Sequence, residues 1–338
     1  MTDSAGLLIA GLAAVIPTVL YVLLLWWLDR YEQEPRRLLL VAFWWGALPA
    51  VILSALAETT LGRPLAAFDQ ATAELMSSSL LAPMVEELLK GLAVFLVFLL
   101  FRREFDGVLD GVIYGATVGF GFAMTENALY FLGSFGSGGM RQLSVTVFLR
   151  SVVFGLNHAL FTSAFGASLG YARMAKSGRP RWLVPLVGLG AAMALHGLHN
   201  LFASLTRISP AALLLSAVSD WGGVLVILVV IALAWRNEKR WIVTHLKPEV
   251  AAGLITQGEY DVISSYRRRV LAGWQARLHA GRAEARRIAK LSQVATDLAF
   301  KVEQGDGRTV QKLRQQVIQL RGQPSVTMDQ AAGPPQAV

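Results

Sequence analysis

The sequence predicts an all-α fold, a polytopic transmembrane helical bundle of about seven spans followed by a cytoplasmic tail that forms a helical hairpin or coiled-coil pair. Composition is the first reason: 54% of the 338 residues are hydrophobic and only 16% are charged, against the roughly 25% charged usual in soluble domains. Pattern is the second. Apolar stretches near residues 5–28, 38–57, 80–101, 107–131, 144–171, 182–206 and 211–235 approach or reach the length of about 20 residues that crosses a bilayer. Charge is the third: residues 1–235 hold 14 basic and 14 acidic side chains, residues 236–338 hold 17 and 9, so the whole net charge of +8 sits in the tail.

The first stretch has no preceding basic region and is too long for a signal-peptide core, so it reads as a retained span with Trp26 and Trp27 at its interfacial end. In the fourth, Gly111, Gly115 and Gly119 recur every four residues and form a smooth ridge for a neighbouring helix. Connections one, three and five carry Arg30, Arg36, Arg37, Arg102, Arg103, Arg173, Lys176, Arg179 and Arg181. Connections two, four and six carry only Arg63, Arg141 and Arg207. The positive-inside rule then places the N-terminus outside and the tail in the cytoplasm of a multi-pass cell-membrane protein.

Past residue 235 the pattern changes. A helix from Arg236 is expected to break at Pro248. Ile288, Leu291, Val294, Leu298 and Val302, then Val310, Leu313, Val317 and Leu320, repeat at three and four residues on either side of Gly305-Asp306-Gly307. Residues 323–338, with Pro334 and Pro335, read as disordered. The expected division is a transmembrane domain over 1–235, a basic helical tail over 236–322 and a disordered C-terminus over 323–338. Such a tail fits anionic lipid or a helical partner, and no nucleic-acid partner is expected.

The chain has no cysteine, which excludes disulfides, thiolate metal sites and thiol nucleophiles. The third span opens with Glu86, Glu87 and Lys90. Each ionisable group in lipid costs about 2.5–3.5 kcal/mol on insertion scales, so function is the default reading. Lys90 stands at i+4 from Glu86 and i+3 from Glu87 and can neutralise one carboxylate while the other stays free. Glu126 and Asn127 lie in the fourth span, Asn157 and His158 in the fifth, His196, His199 and Asn200 in the sixth. At 1.5 Å per residue the acidic and histidine positions fall roughly 8–18 Å below the outer ends of their spans. Each alone is compatible with an interhelical hydrogen bond. Together they form one cluster in the outer half, and His with carboxylate is the side-chain set that binds Zn²⁺ and activates water.

At these residues the sequence resembles the PrsW family of intramembrane metalloproteases, in the wider clan of CAAX prenyl endopeptidases and CPBP proteins. Glu86-Glu87-Leu88-Leu89-Lys90, Phe122 to Glu126-Asn127, His158 and His196 to Asn200 carry the likeness, with Asp29 to Pro35 matching an acidic, proline-ended loop. His199 departs from it, standing where an aromatic is expected. The resemblance implies a bacterial membrane protease that cuts in or beside the transmembrane segment of a membrane-anchored partner such as an anti-sigma factor. It implies Glu86 or Glu87 as the base that activates water, Lys90 tuning it, Glu126, His158 and His196 as candidate Zn²⁺ ligands, and Asn127 and Asn200 as oxyanion donors; the departure at His199 adds a further possible ligand. A metal-free glutamate mechanism stays open. Two alternatives are a prenyl-protein endopeptidase, which needs a cytoplasm-facing site, and a proton- or ion-coupled transporter, for which no inverted repeat is visible.

Overall fold

The computed structural model describes residues 3–31, 33–175 and 181–322. The expected disorder of 323–338 and the loop cations Lys176 and Arg179 lie outside these residues. The described chain is helical throughout: α1 Asp3–Leu28, α2 Arg36–Trp45, α3 Val51–Leu61, α4 Gln70–Met76, α5 Ala82–Leu100, α6 Val108–Val147, α7 Asn157–Met174, α8 Leu183–Leu205, α9 Ala211–Ala251, α10 Gln257–Ile263, α11 Tyr266–His279, α12 Gly281–Gln304 and α13 Gly307–Arg321. It divides into two compact units. One comprises the residues up to Asp29 with Glu34–Ile231, the other Arg30–Gln33 with the chain from Ala232 onward.

Among the described residues, helical stretches long and apolar enough to cross a membrane are Ser4–Leu28, Arg36–Ala67, Val108–Met174 and Leu183–Leu205 in the first unit, and Ala211–Ala251, which begins in the first unit and runs into the second. α5 is as apolar outside its Glu86, Glu87 and Lys90. Val108–Met174 contains both the fourth and the fifth expected spans. α6 bends at Gly138 and Gly139, the latter at φ 61°, a conformation costly for any residue but glycine. The chain doubles back there, since the hydroxyls of Ser134 and Thr146 meet at 2.9 Å.

Two helices differ from their expected bounds. The fifth span is not continuous: a π-helical turn at Phe148–Val153 ends it, and α7 begins anew at Asn157. The third begins at Gln70 rather than near Leu80, capped by Asp69 Oδ1 accepting from the Thr72 N–H at 3.0 Å. Hydropathy hid this start, because Ser77, Ser78 and Ser79 sit in a π-helical turn, Ser77–Leu81. Such a turn would pair the Ser78 carbonyl with position 83, but Pro83 has no N–H. The freed carbonyl accepts from Asn200 Nδ2 at 2.8 Å instead.

The glycine ridge packs α6 against α7 backbone to backbone. A Cβ at Gly111 would lie 2.0 Å from the Gly166 carbonyl oxygen, one at Gly115 2.6 Å from that of Thr162, and one at Gly119 2.3 Å from that of His158. No larger residue fits. The ridge therefore fixes the register of α7 and sets the His158 backbone against Gly119, one turn before Phe122 and two before Glu126. At the far end of α6 the loop after α1 is pinned by buried bonds: Asp29 Oδ2 accepts from the Glu34 N–H at 2.7 Å, and Glu34 Oε2 from the Tyr114 hydroxyl at 2.5 Å. Burial pushes the Asp29 carboxyl up to about 8, opposed by the Glu34 N–H and aided by Asp110.

The second unit has a core of its own. Ile288, Leu291, Val294 and Leu298 of α12 and Val310, Leu313 and Val317 of α13 are buried together with Ile242 and Leu246 of α9 and Val262 and Ile263 of α10. The expected pair is α12 and α13, reversed at Gly305 with φ 74° and restarted by Asp306 Oδ1 accepting from the Thr309 N–H at 3.2 Å. The expected break at Pro248 does not occur. α9 runs through it and stops at Ala251, so the proline costs little more than the helix's last turn.

Candidate active site

Burial sorts the two carboxylates of α5. Glu87 is 1% exposed, and Lys90 fully buried. Glu87 Oε1 lies 2.6 Å from Lys90 Nζ and 2.9 Å from His196 Nδ1, and its Oε2 accepts from the Thr162 hydroxyl at 3.0 Å. Every direction around this carboxylate is occupied. Glu86 has, among the described residues, Lys90 Nζ at 3.4 Å and His196 Nε2 at 3.9 Å as its ionic partners. It lines a cavity of about 830 Å³ that Glu87 and Lys90 do not reach. Of the two, Glu86 is the one that water can approach.

The imidazoles are held by their partners. With Nδ1 toward Glu87, His196 turns Nε2 toward Glu86, the arrangement by which a carboxylate fixes a ligating histidine's tautomer. His158 Nδ1 lies 3.1 Å from Lys90 Nζ, an ammonium with nothing but protons to offer, so Nδ1 accepts and Nε2 donates to Glu126 Oε2 at 2.9 Å. The rings of His158 and His196 stand perpendicular, 5.1 Å apart. Lys90 Nζ also sits 4.2 Å above the Phe122 ring.

One atom each from Glu86, His158 and His196 lie within 4.8 Å of one another. Two neutral imidazoles and a carboxylate suit Zn²⁺ with an open position. Both ring nitrogens of His158 already have partners, so an ion there would replace one of them. Two expected ligands line the same cavity but are not part of this triad. Glu126 is tied to His158 and ion-paired to Arg150 Nη2. His199 lines that cavity too but is held by other partners, its Nδ1 at 2.7 Å from Asp220 Oδ2, 2.9 Å from Ser216 Oγ and 3.0 Å from Asn157 Nδ2.

Of the expected oxyanion donors, Asn200 Nδ2 holds the Ser78 carbonyl, while Asn127 is held through its acceptor, Oδ1 taking the Arg150 Nε–H at 2.7 Å. Sequence reasoning left Arg150, Asp220, Thr162 and Ser216 out of the site. Arg150 and Asp220 carried the same signal as the rest, a charge inside an apolar stretch, but no motif; Thr162 and Ser216 carried none, since hydroxyls are common in membrane helices.

Comparisons with known proteins identify the family. The chain matches the PrsW family intramembrane metalloprotease family over residues 34–236. It is 30% identical to a protein named Protease PrsW from Geobacillus kaustophilus over 171 residues, 51% of this chain and 70% of that protein. To Protease PrsW of Bacillus subtilis it is 28% identical over 216 residues, 63% and 84% of the two chains. To that of Halalkalibacterium halodurans it is 26% identical over 194 residues, 56% and 80%. No solved structure matches. With the matched region taking in α2 through α8 and every residue of the buried cluster, the chain belongs to the PrsW family of intramembrane metalloproteases, and it is a membrane protease.

Proposed function

We propose that the chain hydrolyses a peptide bond in or beside the transmembrane segment of a membrane-anchored, anti-sigma-factor-like protein, with Glu86 as the base. The observation that carries the assignment is the contrast on α5: Glu86 faces the cavity with two long contacts, while Glu87 is enclosed by Lys90, His196 and Thr162. Glu86 takes a proton from water in the cavity and later returns it to the leaving amine. Glu87 holds Lys90 and His196 in place, and Lys90 keeps two adjacent carboxylates compatible with burial. A Zn²⁺ held by His158 and His196 beside Glu86 would acidify the water and polarise the scissile carbonyl. The chemistry is assigned to residues before 236, in the outer half of a bundle whose N-terminus is outside and whose tail is cytoplasmic.

The test is cleavage of a single-span reporter by the reconstituted protein. Glu86→Gln keeps volume and hydrogen bonding but not basicity, so the rate is expected to fall ~10²–10⁴-fold with the protein still folded. A near-normal rate overturns the assignment.

A further inference from the structure

Beyond Arg236, five large apolar side chains are exposed among the described residues, and four stand on the single helix α11: Val270 at 53%, Leu271 at 55%, Trp274 at 63% and Leu278 at 59%. At 100° per residue they share one arc of about 100°. The opposite face turns inward the small Ala272 and Ala276, both buried, together with Arg269. The helix thus turns its large apolar side chains away from its own core.

Arg269 makes that orientation obligatory. Its guanidinium donates to the Ile263 carbonyl at 2.7 Å, to the Tyr31 carbonyl at 3.2 Å and to the Thr296 hydroxyl at 2.6 Å. Rolling α11 to bury Trp274 would break all three bonds and expose the alanines.

We propose that α11 lies in the surface of an anionic bilayer, with Val270, Leu271, Trp274 and Leu278 immersed at the headgroup boundary. Charge selects this occupant. Residues 266–290 hold eight basic side chains, Arg267, Arg268, Arg269, Arg277, Arg282, Arg286, Arg287 and Lys290, against the one acidic Glu284. Arg267, Arg268 and Arg277 are exposed on α11 itself. Apolar anchors including Trp, flanked by arginines, are the composition of an interfacial helix, and anionic headgroups attract each arginine near the surface. The bilayer is also tethered: α9, apolar enough to cross a membrane, continues as one helix into this unit.

The chain's lack of cysteine makes the test direct. Leu271→Cys, Leu278→Cys and, as a reference on α12, Lys290→Cys are introduced singly into the full-length protein, spin-labelled and reconstituted into vesicles of phosphatidylcholine alone or with phosphatidylglycerol. Collision with oxygen and with an aqueous nickel chelate reports depth. The labels at 271 and 278 are expected in the apolar phase in the anionic vesicles while the one at 290 stays in water. Arg267→Gln, Arg268→Gln and Arg277→Gln are expected to lower the docking equilibrium by roughly fivefold per arginine. Aqueous labels at 271 and 278 in both vesicles overturn the proposal. So does equal immersion with and without the anionic lipid. Spin–spin broadening between copies, or a change of depth on deleting residues 323–338, would identify another occupant and overturn it as well.

Discussion

His196 and His199 lie one turn apart on α8 and line one cavity, but they meet different partners. His196 meets Glu87, Glu86 and His158, three groups from α5 and α7 that are themselves cross-linked by Lys90. His199 meets Asp220 and Ser216 of α9 and Asn157 of α7, with the Phe154 ring edge-on at 5.0 Å. The same residue type on one helix becomes part of a donor triad in one case and a clamp between helices in the other. What decides is the neighbour: α5 supplies a carboxylate open to the cavity, whereas α9 supplies one that His199 already fills.

The contrast can be broken most forcefully at Lys90. Replacing it by Met leaves two adjacent buried carboxylates without their counter-charge, and the expected loss is about 3–5 kcal/mol of stability, read as a large drop in thermal midpoint in detergent. A stable Lys90→Met variant would mean the cluster around His196 is not an interdependent unit. Next in size is Glu87→Gln, which removes charged hydrogen bonds to Lys90 and His196 and is expected to cost about 1.5–3 kcal/mol. It should lower cleavage less than Glu86→Gln does, and the reverse order would exchange the roles of the two carboxylates.

Comparisons across pH need a baseline, which Asp29 provides. Its carboxyl is raised from 3.8 to about 8 by burial. Between about pH 4 and 8 the folded protein keeps a proton that the unfolded chain has released, so stability falls as pH rises, by at most ~1.4 kcal/mol per unit, and levels off above 8. Asp29→Asn is expected to flatten that slope in thermal melts. The smallest effect is expected at Asp220→Asn, which weakens one hydrogen bond to His199 by about 1 kcal/mol and leaves cleavage nearly unchanged. A large loss of activity there would draw His199 into the chemistry.

Much of this was legible in the sequence for a physical reason. Glu86, Glu87, Lys90, His158 and His196 are expensive in lipid, and expense marks them in a single chain without any structure. The ridge of Gly111, Gly115 and Gly119 announced a close helix contact, and the structure gives α7 as the partner, with Gly119 against the His158 carbonyl. What the sequence could not supply was pairing. Whether Arg150 balances Glu126, or Asp220 takes His199, depends on which helices touch, and span order does not determine that. Nor did hydropathy resolve the π-helical turns at Ser77–Leu81 and Phe148–Val153, because a one-residue change in winding leaves the apolar pattern intact.

The central claim is that peptide hydrolysis depends on Glu86, His158 and His196 and not on His199, although all four line one cavity. Initial cleavage rates of His196→Gln and His199→Gln, measured side by side in the same bilayer on the same single-span substrate, test it most directly. The account predicts a fall of ~10²–10⁴-fold for His196→Gln and of no more than about tenfold, some 1.4 kcal/mol of barrier, for His199→Gln. Equal losses, or a greater loss at His199, would contradict it.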